Sequence, residues 1–66
     1  MNLEIFCGKR VKIIDVDGKH WDGYVDLYCR KEDNEENEDS IFVKVEENSK
    51  DLIEFMESEI KSISVI

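Results

Sequence analysis

The chain contains no proline, only three glycines, one histidine and two cysteines, and nine basic side chains against seventeen acidic ones. No apolar run approaches the ~20 residues needed for a membrane-crossing helix, so no membrane association is expected. The opening stretch MNLEIFCGKR has no long apolar core and carries Glu4, which argues against an export signal. The expected location is therefore the cytoplasm, with Cys7 and Cys29 as reduced thiols. They form no C-x-x-C pair, and they read as small core hydrophobes. His20 has no cysteine or histidine at metal-ligand spacing and no serine or cysteine beside it in a nucleophile motif. It reads as an exposed strand residue. Paired carboxylates would need a pocket that shifts their pKa, and so short a chain has little volume for one. The expectation is a non-enzymatic protein without metal or cofactor. A net charge of −8 further disfavours generic binding to nucleic acid or anionic lipid, which depends on cationic contacts to phosphate.

What is present fits a single domain over residues 1–66, of which 41% are apolar. A chain this short buries only ~60% of its unfolded surface, so a partner subunit would help its stability. The acidity is concentrated in a loop at 30–39, where Glu32, Asp33, Glu35, Glu36, Glu38 and Asp39 accompany two bases. Outside it, 11 acids and 7 bases leave a body that is still acidic. Asp33, Glu35, Asn37 and Asp39 have the alternate spacing of a calcium loop. Glu38 and Lys44 occupy the places of its turn glycine and distal glutamate, so the segment reads as a solvated, flexible hairpin connection.

Residues 2–7 are too short for a stable free helix. Leu3 and Phe6, three apart, predict one helical turn closing an end of the core, stopped at Gly8. Lys9–Val16 reads as a strand whose apolar phase flips between Ile13 and Ile14, the mark of a bulge or bend. Asp17-Gly18 is a strong hairpin signal. The second strand alternates from Lys19 to Arg30. Trp21, Gly23, Val25, Leu27 and Cys29 point inward, and His20, Asp22, Tyr24, Asp26, Tyr28 and Arg30 outward. An interior glycine weakens a strand unless the chain bends there or another backbone comes close. Gly23 therefore predicts the bend that curls the sheet. SIFVKVE, with Ile41, Val43 and Val45 inward, is a third strand, followed by a turn over 47–50. DLIEFM is a fourth, with Ile53 and Phe55 inward. ESE is a tight connection, and IKSISVI a fifth strand, with Ile63 and Val65 inward. Five short strands with one long bent member predict an all-β, strongly curved small barrel with a short N-terminal helical turn.

The stretch DGKHWDGYVDLYC resembles the first signature of the Sm-like (Lsm) family of SH3-like small barrels. Gly18, Lys19, Trp21, Gly23, Val25 and Tyr28 occupy its turn-glycine, basic, apolar, glycine, apolar and aromatic positions. The resemblance spans Lys9 to Ile66 and suggests a divergent, bacterial-type member. It implies an RNA site at Tyr28, as a base-stacking ring, and Lys61, in Ile60-Lys61-Ser62, the partial echo of the family's second motif. Two positions depart from the pattern: Cys29 replaces the family's aspartate, and Asp33 its asparagine. The resemblance also implies rings assembled through the fourth and fifth strands.

Tyr24, Tyr28, Phe42, Leu52 and Met56 fall on the face opposite the expected core. Several apolar side chains on neighbouring strands suggest an interface, with Tyr24, Phe42, Leu52 and Met56 as its candidate residues. The expected function is a non-catalytic interaction module that associates with itself or binds a protein. The alternative is an Sm-like RNA-binding ring.

Overall fold

The computed structural model describes residues 1–45 and 50–66. It is all-β: five antiparallel strands form one sheet, and the helical content is three short 3-10 turns among the described residues. The strands are β1 (Arg10–Asp15), β2 (His20–Cys29), β3 (Ser40–Lys44), β4 (Ile53–Met56) and β5 (Ile60–Val65), and their order in the sheet is β4-β3-β2-β1-β5. The expected turn over 47–50 lies, apart from Lys50, outside the described residues.

The hydrogen-bonded ladder does not close into a barrel, because β4 and β5 are its two edges. It is nevertheless tightly rolled. In a flat sheet the axes of β4 and β5 would lie roughly 19 Å apart. Only the 3-10 turn Glu57–Glu59 joins them, and three such residues rise about 6 Å. The turn is tied by its backbone to both sides of the sheet: the Glu57 amide donates to Asp39 O (2.9 Å), and the Val16 amide donates to Glu59 O (3.0 Å). Across the concave face Trp21 of β2 meets Phe55 of β4 edge to face, ring centres 5.6 Å apart.

That face holds the core: Leu3, Val11, Ile13, Val25, Ile41, Val43, Phe55 and Ile60. The N-terminal turn Leu3–Phe6 caps it as expected. Leu3 is fully buried, Phe6 packs against the core, and the Asn2 side chain accepts the Glu4 amide at the turn's start. Gly8 follows with φ of 80°. In the β1–β2 hairpin Gly18 takes φ of 82°, a conformation that glycine adopts without strain. The phase flip in β1 has a counterpart in a register shift between Ile14 and Asp15 against β5.

Strand β2 departs from the strict alternation expected of it at Asp26. Val25 pairs with Val43, but Phe42 pairs with Leu27, so Asp26 is an extra residue in the strand. This β-bulge reverses the phase of everything after it. Leu27, expected inside, is 49% exposed on the convex face, and Cys29 is on that face too, half-buried. Tyr28, expected outside, pairs with buried Ile41 and packs against the core. Cys7 is exposed rather than a core residue. Val65 pairs with Val11 and so faces the concave side, yet it is 54% exposed, because β5 is an edge of the sheet among the described residues.

Candidate functional site

The bulge at Asp26 places Tyr28 beside the loop that follows β2. A cleft of about 400 Å³ opens there, lined by Tyr28, Arg30, Lys31, Glu32, Asn37, Glu38, Asp39 and Glu57. Its charge is mostly negative, contributed by the loop and by the turn between β4 and β5.

The loop is exposed over residues 30–33 and 35–37, as its composition suggests, but it is held by specific hydrogen bonds. Lys31–Asp33 forms a 3-10 turn. Asn34 Nδ2 donates to Glu38 O (2.8 Å) and to Ser40 Oγ (3.0 Å). Asn37 adopts φ of 56°, a left-handed conformation that asparagine tolerates better than most residues. Asp39 accepts the Lys31 amide through Oδ1 (2.8 Å) and the Tyr28 hydroxyl through Oδ2 (3.1 Å). Buried Ser40 donates its hydroxyl hydrogen bond to Glu54 Oε2 at 2.9 Å. Glu38 reaches twenty residues along the chain to Ser58, accepting its amide (2.8 Å) and its hydroxyl (3.1 Å). Two of the six acids, Glu38 and Asp39, thus fasten the loop to the rest of the fold, while Glu32, Asp33, Glu35 and Glu36 are exposed.

The Tyr28 hydroxyl is held above its ordinary pKa, first by removal from water and then by its bond to Asp39. The ring is thus packed on the core, with its polar end engaged by a carboxylate of its own loop. Lys61, the cation matched with it by family resemblance, is exposed on edge strand β5 and is not among the residues lining the cleft. The cleft therefore holds one of the two candidate RNA contacts, Tyr28, and not the other.

The candidate interface residues are partly brought together. On the convex face Phe42 lies opposite Leu27 on one side and Glu54 on the other. Met56, opposite Ser40, follows on the same face, and Leu52 is exposed just before β4. Tyr24 sits before the bulge, between Arg10 of β1 and Lys44 of β3. Leu27 belongs with Phe42, which the alternation does not reveal, since the extra residue at Asp26 leaves no mark on it. His20 is exposed on β2 opposite Ile14. Among the described residues no three His, Cys, Asp or Glu side chains are grouped to hold a metal ion. No helix among them is long and apolar enough to cross a membrane.

The two sheet edges differ in chemistry. Residues 51–59, which contain β4, carry Asp51, Glu54, Glu57 and Glu59 and no base. Residues 60–66, which contain β5, carry Lys61 and no acid, and Val65 and Ile66 are exposed there. Comparison of the chain with family models, curated proteins and solved structures finds no match.

Proposed function

We propose that this chain is a non-catalytic interaction module of Sm-like type that associates with itself, strand β4 of one copy adding to strand β5 of the next. The observation that carries this reading is the pair of unlike edges. An edge strand displays unpaired backbone donors and acceptors, and proteins commonly blunt it with charge. Here β4 and its flanks are acidic, so β4 against β4 would set carboxylates against each other. The β5 edge has one cation, no acid and exposed apolar side chains, so it receives an acidic apolar strand without repulsion. Pairing of unlike edges is head-to-tail, and it closes into a ring when the rotation per subunit allows. Backbone pairing supplies affinity, and the alternate side chains supply specificity.

The test is solution mass by light scattering for the wild type and for Val65→Asp. Val65 is largely exposed in the single chain, so the variant folds. The wild type is expected at a multiple of the chain mass, and Val65→Asp at least tenfold weaker in self-association, as a buried charge at an interface would make it. A wild type that stays monomeric at high micromolar concentration overturns the reading.

The same reading predicts poor RNA binding. Stacking contributes ~1–3 kcal/mol per base where it is used. Tyr28 lies beside Glu32, Glu38, Asp39 and Glu57, which repel a phosphate backbone. Titration with U-rich and A-rich single strands at two salt concentrations is expected to give affinities weaker than ~10⁻⁵ M, in the non-specific range. Sub-micromolar binding abolished by Tyr28→Ala and by Lys61→Ala would restore the RNA-binding ring.

A further inference from the structure

We propose that the acidic loop is a clasp that fixes the angle between the two edge strands, and that the Glu38–Ser58 contact thereby determines which assembly forms. This rests on the head-to-tail reading above and adds to it the residues that set its geometry.

The corner between β4 and β5 is the turn Glu57–Glu59. A three-residue 3-10 turn has few internal hydrogen bonds and poor geometry in those it has, so it does not hold an angle by itself. Its ends are tied by the backbone, Glu57 to Asp39 and Glu59 to Val16. Its middle residue, Ser58, is exposed, and the Glu38 carboxylate grips it at both the amide and the hydroxyl. The two bonds use separate oxygens, so they fix orientation as well as position. Hydrogen bonds to an ionised carboxylate are also stronger than neutral ones.

Glu38 can do this because the loop presents it rigidly. Asn34 holds the Glu38 carbonyl and the Ser40 hydroxyl with one amide group. The next residue, Asp39, is locked to Tyr28 and to the Lys31 amide. The Glu59 carboxylate accepts the Met56 amide at 2.9 Å, bracing the turn from within. Glu38 is thus carried on a segment anchored to β2 and β3 and grips the joint between β4 and β5. In a head-to-tail assembly the rotation from one subunit to the next follows from the angle between its two edges. A change of a few degrees alters which ring closes, or leaves an open chain.

The experiment compares wild type, Glu38→Ala, Ser58→Ala and Ser58→Thr by native mass spectrometry and amide hydrogen exchange. Ser58 is on the surface, so its variants test the clasp without a folding defect. The wild type is expected to show one dominant assembly. Glu38→Ala and Ser58→Ala are expected to shift to another mass or spread over several. Ser58→Thr, which keeps the hydroxyl, should match the wild type. The Ser58 amide should exchange about tenfold faster in Glu38→Ala, as for an opened local contact. An unchanged assembly in both alanine variants overturns the clasp, and so does an unchanged Ser58 exchange rate. A monomeric wild type defeats the self-association reading and the clasp's role in assembly with it, a result distinct from an assembled wild type whose mass ignores the variants.

Discussion

Gly23→Val is expected to leave the chain largely unfolded at room temperature. A side-chain carbon built on Gly23 would lie 2.6 Å from Val43 Cγ1 and 2.7 Å from the Lys44 carbonyl oxygen. Both are well inside van der Waals contact. The valine side chain could rotate away, but the carbonyl belongs to the backbone of β3, which is hydrogen-bonded to β2 on one side and β4 on the other. Relief would require the two strands to part at the start of their ladder. Overpacking of a tight core costs typically ~1–3 kcal/mol, occasionally more, and a clash with fixed backbone belongs at the upper end. A domain of this size has in total roughly 3–10 kcal/mol of stability. Even Gly23→Ala, which adds only the offending carbon, is expected to lower the melting temperature by many degrees. Thermal unfolding followed by circular dichroism decides it. A Gly23→Val melting point within a degree or two of wild type would mean that β3 does not approach so closely.

Gly23 also shows how far the sequence could be read. A glycine on the apolar face of a long strand signals either a bend or a close backbone approach. The structure shows the close approach at Gly23, while the irregularity in the ladder comes later, at Asp26. The all-β class and the five strands follow from alternation and turn residues, and they are seen close to their expected limits. The bulge was not legible. YVDLYC alternates equally well with Leu27 or with Tyr28 turned inward, and an added residue changes nothing in composition. What distinguishes the two in the structure is a partner eleven residues away, since Tyr28 turned inward reaches Asp39. The ordered loop was hidden for a similar reason. Its acids predict repulsion when read locally, but Glu38 finds its partner, Ser58, near the far end of the chain, where the Glu57 amide also meets the Asp39 carbonyl. Val65 shows a different limit. Its face was read correctly, but its exposure depends on what lies beyond the sheet edge, which alternation does not record.

Trp21→Ala is expected to have the second large effect, because this side chain ties the first hairpin to the far side of the sheet. Its ring and that of Phe55 of β4 meet edge to face, and Lys19 Nζ lies 4.2 Å from its ring centre. Its indole N–H donates to Asp15 Oδ2 at 2.9 Å. The same carboxylate organises the turn, accepting the amides of Asp17 and Lys19 through Oδ1, both at 2.9 Å. Truncation of a large aromatic costs ~3–5 kcal/mol when it is fully buried. Trp21 is half-buried, so about 3 kcal/mol is expected, a large part of the stability available. Trp21→Phe separates the contributions. It keeps the aromatic contact, worth ~0.5–1.5 kcal/mol beyond area, and removes the donor to Asp15. That donor is the main reason the Asp15 carboxyl sits below its ordinary value of 3.8, with the Lys19 amide next. A group whose pKa is lowered by folding stabilises the fold above its unfolded value, and that contribution is lost as pH falls through the folded-state value. The wild type should therefore lose stability in acid below about pH 3.8, and Trp21→Phe should lose less over the same range. Denaturant melts of the three proteins at pH 7 and pH 3 make the comparison. If Trp21→Ala melts like the wild type at pH 7, Trp21 does not join the hairpin to β4. If Trp21→Phe loses as much stability in acid as the wild type, the indole donor does not hold the Asp15 carboxyl down.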